Sequence, residues 1–107
     1  MGEHYILEGH KVVETDLMTW AKWLEGAERH VAKENVGDVR VSTVFLGLDH
    51  SFGHGPPLIF ETMVFGGSLD QEQDRYTTWE EAEAGHKAMV KRVNEAIETG
   101  GEPCLKS

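Results

Sequence analysis

Cysteine is nearly absent from this chain of 107 residues: its only one is Cys104, in the C-terminal stretch GGEPCLKS. A single cysteine cannot form an intrachain disulfide, and such usage is typical of a reducing compartment. No apolar run approaches the roughly 18 residues that a membrane-spanning helix needs, and no basic segment followed by an apolar one marks a signal peptide. We therefore expect a cytoplasmic protein that does not associate with membranes.

Basic side chains are also scarce, with ten lysines and arginines against nineteen aspartates and glutamates, which gives a net charge of −9. A phosphate backbone would be repelled, so direct binding of nucleic acid is not expected. Six acids fall in one short segment that holds only one basic residue, Arg75, leaving a local charge of −5: Asp70, Glu72, Asp74, Glu80, Glu81 and Glu83. This acidic segment suits a basic partner surface, although a solvated loop and helix start would have the same composition.

Apolar residues make up 39 % of the chain, enough for one hydrophobic core of modest size. We expect residues 1–107 to form a single domain, of which about residues 99–107 are a flexible C-terminal tail.

The first half of the chain predicts a hairpin and a helix. β-prone residues on both sides of Gly9 in HYILEGHKVVE predict a short hairpin, since glycine supplies a positive φ in a tight turn. Thr15 or Asp16 can cap a helix, and apolar residues then recur at steps of three and four: Leu17, Trp20, Leu24, Ala27 and Val31. This spacing predicts a first helix that ends before the sequence NVGD. Trp23 lies off the stripe, where it would cover a neighbouring element or stand exposed at a contact surface.

The second half predicts two strands and a longer helix. β-branched and aromatic runs at residues 39–48 and 58–65 flank the loop SFGHGPP. The segment TTWEEAEAGHKAMVKRVNEAIETGG begins with Thr78 and Glu81 in a capping-box pattern and ends at two glycines. Its apolar stripe includes His86 beside Trp79, Ala82, Met89, Val90, Val93 and Ile97. These elements predict an α+β fold: an antiparallel sheet, made of the N-terminal hairpin and a central two-strand hairpin, covered on one face by two helices.

Four polar residues form a candidate site at the centre of this fold: Asp49, His50, Glu61 and His86. Asp49 and His50 end the first central strand, and Glu61 lies within the second, on the face that it shares with Ile59 and Met63. The helix stripe turns His86 toward the sheet. We expect these four side chains to converge in one polar pocket beneath the second helix.

Two interpretations of this pocket stay open. Carboxylates and neutral imidazoles are ligands for zinc or a similar divalent ion, so His50, Glu61 and His86 could hold a metal that activates water. However, no HExxH or CxxC pattern is present, and a hydrogen-bonded structural network, with Glu61 paired to His86 or Arg40, accounts for the same residues. No cofactor is expected apart from such a metal, and no serine or cysteine stands in a nucleophile motif.

Several segments carry a resemblance to known sequences: VSTVFLGLDHSFG, GPPLIFETMVFGG and RYTTWEEAEAGH, together with YILEG and TWAKWLE near the N-terminus. Along nearly its whole length, the chain resembles a family of small uncharacterised proteins found mainly in bacteriophage and prophage genomes. The resemblance implies no reaction. It implies a mobile genetic element, a bacterial host cell, and accessory roles that include interference with host defence, such as anti-CRISPR-like inhibition.

These observations lead to three functional hypotheses. The first is a non-catalytic protein that binds a host protein through Glu80, Glu81 and Glu83 and an exposed aromatic residue, Trp23 or Phe52. The second is a metal-dependent hydrolase or small-molecule binder that uses the Asp/His/Glu/His pocket. The third is a structural homo-oligomer that pairs free sheet edges.

Overall fold

The computed structural model describes residues 4–49 and 55–98. Its elements follow along the chain as β1 (His4–Glu8), β2 (Lys11–Thr15), α1 (Leu17–Gly26), β3 (His30–Val36), β4 (Val39–Phe45), β5 (Phe60–Phe65), β6 (Gln73–Tyr76) and α2 (Trp79–Glu98). The predicted tail at about residues 99–107 lies outside the described residues. Within the described ranges, no helix is long and apolar enough to cross a membrane.

The strands form two antiparallel sheets. β1 and β2 are the expected hairpin, with Glu8 opposite Lys11 and Gly9 in the turn at φ +66°. β3, β4, β5 and β6 form a four-stranded meander in chain order. The sheets meet where the amide of Tyr5 donates a hydrogen bond to the carbonyl of Gly47 at 2.8 Å. The predicted α+β class is confirmed.

The first helix is shorter than its apolar spacing predicts. Asp16 caps it as expected, accepting a hydrogen bond from the amide of Thr19 at 2.8 Å, but the helix ends at Gly26. Residues 30–36 form the edge strand β3, so the prediction of a helix that continues through Val31 is wrong. Val36 and Val39 face each other across a two-residue turn, and this hairpin pairing with β4 outweighs the local helical spacing.

The other edge strand, β6, has no counterpart in the sequence prediction. Its sequence, QDRY, is polar and lacks the alternation of apolar residues that marks a half-buried strand. It forms because its backbone pairs with β5, where Tyr76 stands opposite Phe60. Both additional strands therefore depend on pairing with a partner strand rather than on local composition.

Helix α2 packs along one face of the four-stranded sheet. Strand alternation turns fully buried side chains of β4 and β5 toward it, among them Val41, Thr43, Thr62 and Val64. One apolar cluster joins Val39, Val41 and Val64 to Met89 and Val93 of the helix. A second cluster, next to the N-terminal hairpin, contains Phe45, Ile59, Phe60 and Ala82. The core therefore runs along the underside of α2.

Candidate functional site

His86 is buried between α2 and the sheet, as its place on the helix stripe predicts. Its side chain is 4 % exposed, Nδ1 lies 2.7 Å from Thr43 Oγ1, and Nε2 lies 3.1 Å from Glu34 Oε1. Because an ionised carboxylate only accepts hydrogen bonds, we assign the ring proton to Nε2, which donates to Glu34. Nδ1 then accepts from the Thr43 hydroxyl.

The hydrogen bonds of His86 continue into the sheet. The hydroxyls of Thr43 and Thr62, which stand opposite each other on β4 and β5, are hydrogen-bonded to one another. Since Thr43 donates to the imidazole, its oxygen accepts from Thr62. This arrangement ties the helix to β3 and β4 and the two central strands to each other.

Glu34, His86 and Thr43 form a hydrogen-bonded chain of carboxylate, imidazole and hydroxyl. Catalytic triads, in which the hydroxyl is the nucleophile, have the same chain of groups. A nucleophile must reach a substrate, however, and Thr43 is 0 % exposed. Its hydroxyl is enclosed by the sheet and the helix. The network is therefore structural in this conformation.

Glu61 lies on the other face of the sheet from His86. Its neighbour Thr62 points toward α2, so strand alternation turns Glu61 away from the helix. There its carboxylate accepts from Arg75 Nε at 3.2 Å, across the β5–β6 pair. The prediction that Glu61 and His86 share one pocket is wrong, because β5 buries Phe60, Thr62 and Val64 rather than the face of Met63.

Asp49 bridges the two ends of the central loop. Its Oδ1 accepts a hydrogen bond from the amide of Leu58 at 3.0 Å. His50 and Phe52 lie outside the described residues. Glu61 and His86 cannot ligate one ion from opposite faces, and in residues 4–49 and 55–98 no group of three or more His, Cys, Asp and Glu side chains could hold a metal.

Trp23 is a packing residue rather than an exposed anchor. It is half-buried at the end of the core, and its ring meets Phe45 edge-on with centroids 5.6 Å apart. Of the two roles that the sequence left open, the structure supports the covering of a neighbouring element. The prediction of Trp23 as an exposed binding residue is therefore wrong.

The glutamates at the start of α2 divide into two kinds. Glu81 accepts from the amides of Thr77 and Thr78 at 3.0 and 3.3 Å, while the Thr78 hydroxyl accepts from the Glu81 amide at 3.1 Å. This confirms the predicted capping box. Glu80 and Glu83 are exposed and make no side-chain hydrogen bond or ion pair with a residue in the described ranges.

Other acids of the segment at residues 70–83 are also engaged. Asp70 accepts from the amide of Gly66 at 2.6 Å, and Glu72 pairs with Arg92 at 2.9 Å. Asp74, like Glu80 and Glu83, is exposed and makes no side-chain hydrogen bond or ion pair with a residue in the described ranges, so these three carboxylates are the ones most available to a partner.

A groove lies between the N-terminal hairpin and the start of α2, and Glu80 is one of its lining residues. The ring of His10 stacks on Trp79 with centroids 3.8 Å apart and planes 8° from parallel. The cavity has a volume of about 570 Å³ and is lined by His10, Lys11, Val12, Pro57, Ile59, Thr77, Thr78, Trp79 and Glu80. We call it the Trp79 groove. Sequence reasoning missed it, because His10 and Trp79 are far apart in the chain and no local pattern relates them.

A second cavity, of about 340 Å³, lies at the other end of α2 and is lined by residues such as Val39, Leu69, Val93 and Ile97. Its lining contains no charged side chain. Ser68 is the one polar side chain among its lining residues, so few side-chain groups are available to orient a ligand. The Trp79 groove is the better candidate site.

Comparison of the chain with protein-family models, curated proteins and solved structures finds no match. The functional argument consequently rests on the residues and their geometry.

Proposed function

We propose that this protein acts by binding a partner protein at the Trp79 groove, through an apolar side chain that enters the groove and a basic side chain that meets Glu80 and Glu83. The observation that carries the proposal is a largely apolar groove lined by Trp79 and Glu80, where Glu80 and its helix neighbour Glu83 make no side-chain hydrogen bond or ion pair with a residue in the described ranges. Such a surface is suited to recognition, because it offers both apolar area to bury and charge to orient the partner.

The groove is built for a side chain rather than for a flat surface. The stacked rings of His10 and Trp79 form a rigid wall, and tryptophan is prominent among residues that dominate binding energy at interfaces. Glu80 lines the groove, and Glu83 lies three residues along the same helix, on a neighbouring part of its surface. A lysine or arginine close to an apolar or aromatic residue in the partner would fit both features.

The identity of the partner is a finer proposal, and the resemblance to phage and prophage proteins supports it. On that basis the partner is a host factor in the bacterial cytoplasm, and the effect of binding is inhibition, including inhibition of a host-defence component. Glu80 and Glu83 add that the recognised segment carries a basic residue, which would approach from the α2 side because Lys11 lines the groove on the hairpin side.

The structure favours this function over the alternatives. A hydrolase or metal site that needs Glu61 and His86 together is contradicted by their placement on opposite faces of the sheet. Edge pairing of the four-stranded sheet into a homo-oligomer is disfavoured because both of its edge strands carry charged residues in their middle: Lys33 and Glu34 in β3, Asp74 and Arg75 in β6.

Capture of a partner from host lysate, followed by titration with the purified partner, tests the proposal. We expect Glu80→Gln with Glu83→Gln to weaken binding by roughly three- to tenfold and to flatten its salt dependence, since each exposed ion pair contributes up to about 1 kcal/mol. His10→Ala should weaken binding by removing the exposed half of the stack.

The matched control is Glu25→Gln, the same change of charge on α1, outside the groove. It should bind as the unmodified protein does. Equal affinities for all of these variants at every salt concentration would overturn the proposal.

A further inference from the structure

The four-stranded sheet has a second face, opposite α2, that carries its own set of exposed side chains. Strand alternation places residues there from all four strands: Lys33, Asn35, Arg40, Phe65, Gln73 and Arg75. Each of these residues is exposed, and Ser42, Glu61 and Met63 lie half-buried between them. We call this surface the open face.

The open face differs in sign from the rest of the molecule. Its charged residues are Lys33, Arg40 and Arg75 against Glu61, a local charge of +2, whereas the chain as a whole carries −9. Arg75 is held by Glu61 at 3.2 Å. Among the described residues, the cations of this face without an ion pair are Lys33 and Arg40, and Glu28 lies near enough to Lys33 to interact with its charge.

These two cations lie next to an exposed aromatic ring. Arg40 stands opposite Phe65, and its guanidinium carbon lies 4.6 Å from the ring centroid. A cation–π contact of this kind uses the face of the aromatic ring and leaves N–H groups of the guanidinium for a carboxylate. Arg40 also stands opposite Asn35 on β3, and Lys33 lies two residues before Asn35. The two cations are therefore diagonal neighbours on the sheet, a position in which Cα atoms lie about 7–8 Å apart. Phe65 is 39 % exposed and presents apolar area beside them.

We propose that the open face binds an acidic protein segment, with carboxylates on Arg40 and Lys33 and an apolar side chain over Phe65. Charge complementarity supports this partner. At physiological salt the field decays over about 8 Å, so a short acidic segment is governed by the local charge of the face. A long nucleic acid would extend past the face onto the acidic remainder of the molecule and be repelled.

The size of the face argues against a second copy of this chain as the occupant. Four strands spaced about 4.8 Å apart, with some six residues each, cover roughly 20 Å by 20 Å, or about 400 Å². A stable dimer buries about 800 Å² on each partner. The face suits a single segment, and the site is independent of the Trp79 groove.

Amide chemical shifts of the labelled protein test the proposal, with a short blocked peptide of glutamates around a central leucine as the probe. We expect shifts confined to the open-face residues of β3, β4 and β5, and an affinity that falls as salt rises. Arg40→Gln and Lys33→Gln should each raise the dissociation constant by roughly threefold. Lys87→Gln, the same loss of charge on α2, is the matched control and should leave the dissociation constant unchanged.

Three results would overturn the proposal. The first is equal binding by the Arg40, Lys33 and Lys87 variants. The second is tighter binding of a single-stranded oligonucleotide than of the peptide at the same residues, which would make nucleic acid the occupant. The third is a sedimentation coefficient that rises with protein concentration and returns to the monomer value in Arg40→Gln, which would make a second copy the occupant.

Discussion

At the scale of single residues, His86 shows how a polar side chain is accommodated in this core. Both ring nitrogens have partners, and these partners come from different strands, β3 and β4. A buried imidazole with both nitrogens satisfied helps to hold α2 in one position on the sheet, whereas an unsatisfied one would be destabilising.

We expect His86→Ala to lower the free energy of unfolding by about 1–3 kcal/mol, because it removes two hydrogen bonds and leaves a cavity under α2. Urea denaturation measures this change. The neighbouring exposed residue gives the control, Lys87→Ala, which should change stability by less than about 0.5 kcal/mol. A His86 variant as stable as its control would show that the network contributes nothing to folding.

A second prediction at this scale concerns alkaline pH. Burial raises the pKa of the Tyr76 phenol above its ordinary value of 10.0, and the nearby charge of Asp74 adds to the shift. Burial also raises the pKa of Tyr5, with smaller contributions from Glu14 and Asp49. As pH rises, the unfolded chain loses these protons first, so the stabilisation is complete below about pH 10 and is lost as pH passes through the folded-state pKa.

Above about pH 9, the free energy of unfolding of Tyr76→Phe should therefore fall less steeply with rising pH than that of the unmodified protein. Urea midpoints measured over a pH series check this slope, and Tyr5→Phe provides a second variant for comparison. An unchanged alkaline slope in the Tyr76 variant would contradict the assignment.

At the scale of elements, residues close together in the chain determine where α2 begins, whereas tertiary contacts determine where it packs. Thr78 and Glu81 form its capping box, as their spacing predicts. Gly85 is retained inside the helix for a different reason: a Cβ at this position would overlap the ring of Tyr76. The close approach of α2 to β6 depends on this glycine.

Gly85→Ala should accordingly destabilise the protein by about 1–3 kcal/mol, although alanine in an unconstrained helix is favoured over glycine by about 1 kcal/mol. The control is Gly26→Ala at the end of α1, where an added Cβ has no atom within 4 Å. Thermal unfolding of both variants separates steric overlap from helix preference: the melting temperature should fall for Gly85→Ala and rise for Gly26→Ala. Stabilisation by both substitutions would mean that α2 and Tyr76 do not pack as closely as described.

At the scale of the whole molecule, charge is divided between surfaces. Glu80 lines the Trp79 groove, and neither it nor Glu83 has a side-chain partner within the described ranges, while the open face carries a local charge of +2 within a chain of −9. We therefore expect the two surfaces to attract partners of opposite charge. Since they lie on different parts of the fold, substitutions in one should leave binding at the other unchanged.

The sequence by itself determined the features that depend on residues close together in the chain. The hairpin at Gly9, the Asp16 cap, the start of α2 and the inward position of His86 all follow from turn chemistry or helical spacing. Only the tertiary structure decided that residues 30–36 are a strand, that Glu61 turns away from α2, and that His10 stacks on Trp79. These features depend on which strands pair, in which register, and on contacts between distant segments, and neither local propensity nor periodicity specifies such pairing.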